Sequence, residues 1–238
     1  MKFTPEVPGA YSIEVKISGD TLANSAFTVT LKERELSVVD ELDLNSLEGE
    51  QVDILVGIAV NMKKNIAVTD NGKQCVYIFD KNSKFQRKLE LKGNPHGVTY
   101  LKGDEILIVD TNNDRIQQTN IQTGTVVKTL GKEGLGIGDF DIPGDVCLDE
   151  ELRIAMTDFW NNGIQVMSRE GETISIFGNF GPEKLIHPKS CLPYIDNFFV
   201  SDTENRYIKA LKKVATFVHE FRKKAIKMDN LTTRVVCL

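Results

Sequence analysis

The residues of this chain best suited to chemistry are three histidines and a fourfold set of aspartates. The histidines are His96, His187 and His219. His96 and His187 stand at comparable points, each beside a proline that opens an apolar run (Pro95-His96-Gly97-Val98 and His187-Pro188). A catalytic zinc usually takes three protein ligands and leaves one position open. No third donor recurs with these two, so neither a metal nor a cofactor is expected, and both histidines read as rim residues of a channel. The aspartates are Asp70, Asp110, Asp158 and Asp202, each closing a short run such as Asn65-Ile66-Ala67-Val68-Thr69-Asp70. One such carboxylate alone could serve as a general acid or a calcium ligand. Four in register read instead as turn-capping groups, since an aspartate accepts hydrogen bonds from the backbone N–H groups of a following turn.

Nucleophilic chemistry has no candidate. No Gly-x-Ser-x-Gly elbow occurs, and Cys75, Cys147, Cys191 and Cys237 form no C-x-x-C pair. The cysteines read as buried apolar thiols in a reducing compartment. The glycine-rich run Gly131-Lys132-Glu133-Gly134-Leu135-Gly136-Ile137-Gly138 does not lead from a strand into a helix. It is therefore not a phosphate cradle but a connecting loop. The chain is expected not to be an enzyme.

The elements that position these residues form a repeat. An apolar run, an Asp-terminated run and a third apolar run recur four times, and the aspartates are 40, 48 and 44 residues apart by subtraction of their numbers. Periods of about 40–50 residues with several short strands per unit indicate propeller blades. Val126-Val127-Lys128-Thr129-Leu130 and Thr173-Ile174-Ser175-Ile176-Phe177 supply outer strands in the second and third units. Before the repeats, residues 9–17 alternate apolar and polar, Ser18-Gly19-Asp20 makes a turn and residues 26–31 return, predicting a hairpin. Residues 36–44 offer one further strand. After the fourth repeat, Ile208, Leu211, Val214, Val218, Phe221 and Ala225 follow helical spacing, which predicts an amphipathic helix. Its other face is basic: seven Lys and Arg against one Glu between Lys209 and Lys227.

The chain has 238 residues, 41% hydrophobic and 26% charged, with a net charge of -5. This is a globular balance, and an acidic total argues mildly against nucleic acid as the default partner. No stretch approaches the roughly 20 apolar residues of a membrane helix, and the first residues lack the apolar core of a signal peptide. A soluble protein of the cytoplasm is expected.

These residues resemble a known family. The units from Gly57 to Phe79 and from Pro95 to Gln118 look like NHL repeats, with Pro-x-Gly, Val-x-Asp and Asn-x-Arg-Ile-Gln signatures. Pro8-Gly9-Ala10-Tyr11 with Asn24-Ser25-Ala26-Phe27-Thr28-Val29 resembles the last two strands of a filamin-type immunoglobulin domain. The order resembles tripartite-motif/NHL proteins, whose propellers bind protein or RNA targets and whose RING recruits ubiquitin-charged enzyme. No RING or B-box spacing occurs here, so ligase activity is not carried over.

The expectation is an all-β chain. A remnant filamin/Ig-like hairpin (1–33) precedes an incomplete, about four-bladed NHL β-propeller (34–211), and a basic amphipathic helical tail (212–238) follows. With four blades where the family has six, an open arc is expected, with self-association through open blade edges. The expected function is non-catalytic protein recognition on one loop face, through Lys73, Asn112, Arg115, Phe159, Trp160, Asn161 and Arg206. A single-stranded RNA-binding adaptor is the alternative, because Phe159 and Trp160 could stack a base. A metal-dependent propeller hydrolase or lyase is more remote.

Overall fold

A computed structural model describes residues 9–13, 16–17, 20–21, 27–31, 42, 44, 47, 49, 51–181, 184–213 and 217–221. The chain divides into two compact units, Met1–Leu42 and Asp43–Leu238.

Among the described residues the first unit contains two antiparallel pairs. β1 (Gly9–Ile13) pairs with β4 (Phe27–Leu31), and β2 (Lys16–Ile17) pairs with β3 (Asp20–Thr21). The expected strand over 9–17 is thus divided between two short strands. Of the strand expected at 36–44, Leu44 lies in a short 3-10 turn, and almost all the rest lies outside the described residues.

Among the described residues the second unit is built from four antiparallel four-stranded sheets, each in simple chain order. Blade 1 is β5 (Leu55–Val60), β6 (Ile66–Asp70), β7 (Cys75–Phe79) and β8 (Phe85–Glu90). Blade 2 is β9 (Pro95–Tyr100), β10 (Glu105–Asp110), β11 (Arg115–Asn120) and β12 (Val126–Leu130). Blade 3 is β13 (Pro143–Leu148), β14 (Ile154–Asp158), β15 (Gly163–Met167) and β16 (Thr173–Phe177). Blade 4 is β17 (Pro188–Tyr194), β18 (Asn197–Asp202), β19 (Tyr207–Lys212) and β20 (Phe217–Phe221). The second unit is a four-bladed propeller arrangement.

Why the middle strands read as unbroken apolar runs follows from where they lie. Every residue of β7, β14 and β15 is buried, so both faces pack and period-two alternation is lost. The cores lie between blades rather than within them. Val76 and Ile78 meet Val98 and Ile108 between blades 1 and 2. Leu107 and Ile116 meet Val146 and Met156 between blades 2 and 3. Ile164 and Val166 meet Phe198 and Val200 between blades 3 and 4. Each fully buried aliphatic side chain contributes roughly 2 kcal/mol.

The inner strands pack in sequence, β5 on β9, β9 on β13 and β13 on β17. Among the described residues no comparable packing joins β17 to β5. Exposure follows that order. In β13 all but the last residue is buried, whereas Leu55 at the start of β5 is 44% exposed.

The predicted C-terminal helix is corrected. Ile208 and Leu211 lie in β19, and Val218 and Phe221 lie in β20, paired antiparallel from Ile208↔Phe221 to Leu211↔Phe217. A separation of three residues puts Ile208 and Leu211 on one face of a helix but on opposite faces of a strand. Ile208 is exposed and Leu211 buried. The blade completes its fourth strand in preference to the helix because β19 would otherwise present an unpaired edge. The remainder of the expected tail, 222–238, lies outside the described residues. No helix among the described residues is long and apolar enough to cross a membrane.

Candidate functional site: the loop face of the blades

Each blade places two connections at one end: the turn after its second strand and the segment leading into its first. The repeated aspartates tie these together. Asp70 accepts the backbone N–H groups of Asp53 at 2.8 Å, Ile54 at 3.1 Å and Lys73 at 3.0 Å. Asp110 accepts from the Asn94 N–H at 3.0 Å, the Asn113 side-chain amide at 3.0 Å, Arg115 Nε at 2.8 Å and Gln117 Nε2 at 3.1 Å. Asp158 accepts from the Asp141 N–H at 2.9 Å, Asn161 Nδ2 at 2.9 Å and Gln165 Nε2 at 3.0 Å. Asp202 accepts from the Ile186 N–H at 2.7 Å, Asn205 Nδ2 at 2.8 Å and Lys209 Nζ at 2.8 Å. All four carboxylates are buried. The bonds reach backwards, to the segment before the blade, as well as into the turn that follows.

The turns share one backbone form. Gln74, Asp114, Asn162 and Arg206 hold φ of 53°, 51°, 59° and 61°, in the left-handed region. Two of them reach the next blade: Asp114 Oδ1 accepts the Ile142 N–H at 2.7 Å, and Asn162 Oδ1 accepts the His187 N–H at 3.1 Å.

The expected site residues fall on this face in three groups. Phe159 and Trp160 come together with His187 of the next blade. Phe159 stacks on the imidazole at 4.4 Å and 10°, and Trp160 meets it edge-on at 4.6 Å. Trp160 remains 49% exposed. Asn112 donates to Asn94 Oδ1 at 2.9 Å, and Asn71 Nδ2 donates to the Pro95 carbonyl at 3.3 Å, forming a polar seam between blades 1 and 2. Lys73 and Arg206 are exposed on separate turns, while Arg115 is held by Asp110. Asn161 Nδ2 donates to Gly134 O at 2.9 Å as well as to Asp158, and its Oδ1 is buried with no hydrogen-bond partner among the described residues.

Several residues of this end were not singled out from sequence. Thr69, Thr111 and Thr157 bridge successive blades through their hydroxyls, to His96 O at 2.7 Å, Pro143 O at 2.9 Å and Lys189 O at 3.0 Å. The signal was present as Thr-Asp at 69–70 and 157–158 and Ser-Asp at 201–202. His96 does not meet a metal group: its Nδ1 lies 3.1 Å from Gly144 O. Among the described residues no three His, Cys, Asp or Glu side chains are grouped to hold a metal ion.

NHL repeats match residues 93–118 of the chain, which run from the segment before β9 into β11. No curated protein matches the chain. Among solved structures, a streptogramin B lyase structure aligns with a TM-score of 0.59 at 18% identity, covering 70% of this chain and 54% of that one. Virginiamycin B lyase from Staphylococcus aureus aligns with a TM-score of 0.58 at 12% identity, covering 87% and 63%. A catalytically inactive histidine-to-alanine form of that lyase, with quinupristin, aligns with a TM-score of 0.59 at 14% identity, covering 94% and 73%. The chain spans between about half and three-quarters of the length of these lyases. At such identities the likeness is one of fold. The four blades and the repeat match together support an NHL-type propeller. The match lies wholly within the repeats, and nothing supports a filamin-type or tripartite-motif assignment.

Proposed function

We propose that this chain is a non-catalytic recognition module that binds a protein partner on the loop face of its blades. The observation that carries this reading is Trp160, half exposed yet held edge-on over the His187–Phe159 stack. Tryptophan and arginine dominate the energetics of protein interfaces, and a large ring fixed before binding loses little side-chain freedom on contact. Lys73, Asn112, Asn161 and Arg206 add polar groups on the turns of the successive blades, and the turn carrying Arg115 adds its exposed edge. The NHL-type fold supports such a module. Location in the cytoplasm and self-association through the outer edges of the first and last blades belong to the same reading.

RNA is the weaker alternative, because the guanidinium of Arg115 is engaged by Asp110 and the Lys92 carbonyl and offers little to a phosphate. The test is affinity capture from native lysate with and without RNase, for the wild type and Trp160→Ala. The expected result is a protein captured in the presence of RNase and lost on Trp160→Ala, with an unchanged thermal midpoint. Capture abolished by RNase would turn the reading to RNA. Capture indifferent to Trp160→Ala would remove it. Loss of intact quinupristin on incubation with the chain would replace it with a lyase.

A further inference from the structure

The four capping aspartates differ in what compensates their charge. Asp202 has Lys209 at 2.8 Å and Asp110 has Arg115 at 2.8 Å. Asp70 is closed in by three backbone N–H groups. Asp158 has one backbone N–H and two neutral amides, and among the described residues no lysine, arginine or histidine pairs with it. The positions that carry the cation elsewhere are Gly163, five residues on where blade 2 has Arg115, and Gln165, seven residues on where blade 4 has Lys209. Burial raises the Asp158 carboxyl above the usual range, against the hydrogen bonds of Asp141, Asn161 and Gln165.

Beside Asp158 lies a cleft. It has a volume of about 210 Å³ and is lined by Leu135, Asp158, Asn161, Gly163, Gln165 and Asn179 among others. Its wall is the glycine-rich loop, which is anchored rather than loose. Phe140 is fully buried, the Gly138 N–H donates to Gln165 Oε1 at 3.0 Å, and Gln165 Nε2 donates to Asp139 O at 2.6 Å.

A second observation concerns the orphaned Asn161 Oδ1 on the same lining. The amide cannot be turned round, because Nδ2 faces the Gly134 carbonyl and the Asp158 carboxylate, both acceptors. A buried acceptor without a donor costs about 1–3 kcal/mol. The cleft is therefore backed by a buried carboxylate that holds three neutral donors and no cation, and by an amide oxygen that has no donor. At its mouth Leu135 is 87% exposed, an apolar surface on which an aliphatic stem can lie.

We propose that this cleft receives one arginine side chain of a protein partner, its guanidinium on Asp158 and Asn161 and its stem along Leu135. The inference rests on the loop face being a protein-binding surface and names the group that face selects. Arginine fits better than lysine because its planar fork meets two separate acceptors, whereas an ammonium is a point charge. The partner supplies from outside the cation that blades 2 and 4 supply from within.

The experiment uses the full chain, isotope-labelled, titrated with N-acetyl-arginine amide and separately with its neutral isostere N-acetyl-citrulline amide. The expected result is saturable perturbation of the Asn161 and Gln165 side-chain amide signals by arginine. Citrulline is expected to bind about tenfold more weakly, the loss that follows when a charge-assisted pair loses its charge. Asp158→Asn is expected to abolish the difference between the two probes. Equal binding of both probes to the wild type overturns the proposal, as does a preference for arginine that survives in Asp158→Asn. The wild-type comparison decides the matter if the variant does not fold. Lysate capture with an unresponsive cleft removes this inference alone, whereas a responsive cleft with no RNase-resistant capture removes the reading beneath it.

Discussion

The hydroxyl of Thr69 donates to the carbonyl oxygen of His96 at 2.7 Å, joining the second strand of blade 1 to the first strand of blade 2. The Thr69 hydroxyl oxygen in turn accepts the Gly57 N–H at 2.7 Å, so one side chain serves two inner strands. Thr157 repeats the arrangement two blades on, accepting the Asp145 N–H at 2.9 Å and donating to Lys189 O at 3.0 Å. Thr69→Val and Thr157→Val keep the shape and leave a buried N–H unmatched. Each is expected to cost about 1–3 kcal/mol, read as a lowered urea midpoint without a change of slope.

Asp202 and Lys209 form a buried ion pair. Removing one partner strands the other charge, so Asp202→Asn and Lys209→Met are each expected to cost about 3–5 kcal/mol. The double variant is expected to recover much of that loss, because it buries no lone charge. A double-mutant cycle by chemical denaturation measures the coupling, and strictly additive costs would refute it.

Asp158 is predicted to titrate above an ordinary aspartate, since burial is the largest influence on it. A raised carboxyl pKa means that the folded protein keeps a proton where the unfolded chain has lost it. The destabilisation therefore develops as pH rises above the unfolded-chain pKa and is complete once pH exceeds the folded-state pKa. Carbon-detected NMR titration of the carboxyl reads the midpoint directly. Saturation with N-acetyl-arginine amide is expected to lower it, and a midpoint at or below the ordinary value would contradict the prediction.

Burial also pushes the Cys75 thiol up to about 11. Only the thiolate reacts with alkylating agents. In the native protein near pH 8, Cys75 is expected to resist iodoacetamide and to react fully once the chain is unfolded in denaturant. Peptide mass spectrometry of the two samples makes the comparison, and rapid native labelling would contradict it.

Strand positions were legible in the repeats because middle strands buried on both faces leave apolar runs of strand length. Strands β7, β10 and β18, at Cys75–Phe79, Glu105–Asp110 and Asn197–Asp202, are such runs. β8, Phe-Gln-Arg-Lys-Leu-Glu, escaped notice because an outer strand with one solvated face is mostly polar. β20 was misread because Val218 and Phe221 lie at a separation that suits a helix, and pairing with β19 outweighs that periodicity. The third strand of blade 2 begins only at Arg115, since Thr111–Asn113 form a 3-10 turn. In the candidate site, aromatic character and turn position marked Phe159 and Trp160. The partnership with His187 was hidden, because the residues belong to different blades and meet only through the fold. The cleft at Asp158 was hidden for another reason. It arises from glycine and glutamine standing where other blades carry arginine and lysine, and a missing group has no signature until its neighbours are placed.

Gln74, Asp114, Asn162 and Arg206 adopt nearly the same main-chain torsion at the same point of four blades. The polypeptide path around each bend is thus indifferent to whether an amide, an acid or a guanidinium stands there. New binding chemistry can accordingly be written onto one bend, or moved from one bend to another, while the scaffold beneath it stays the same.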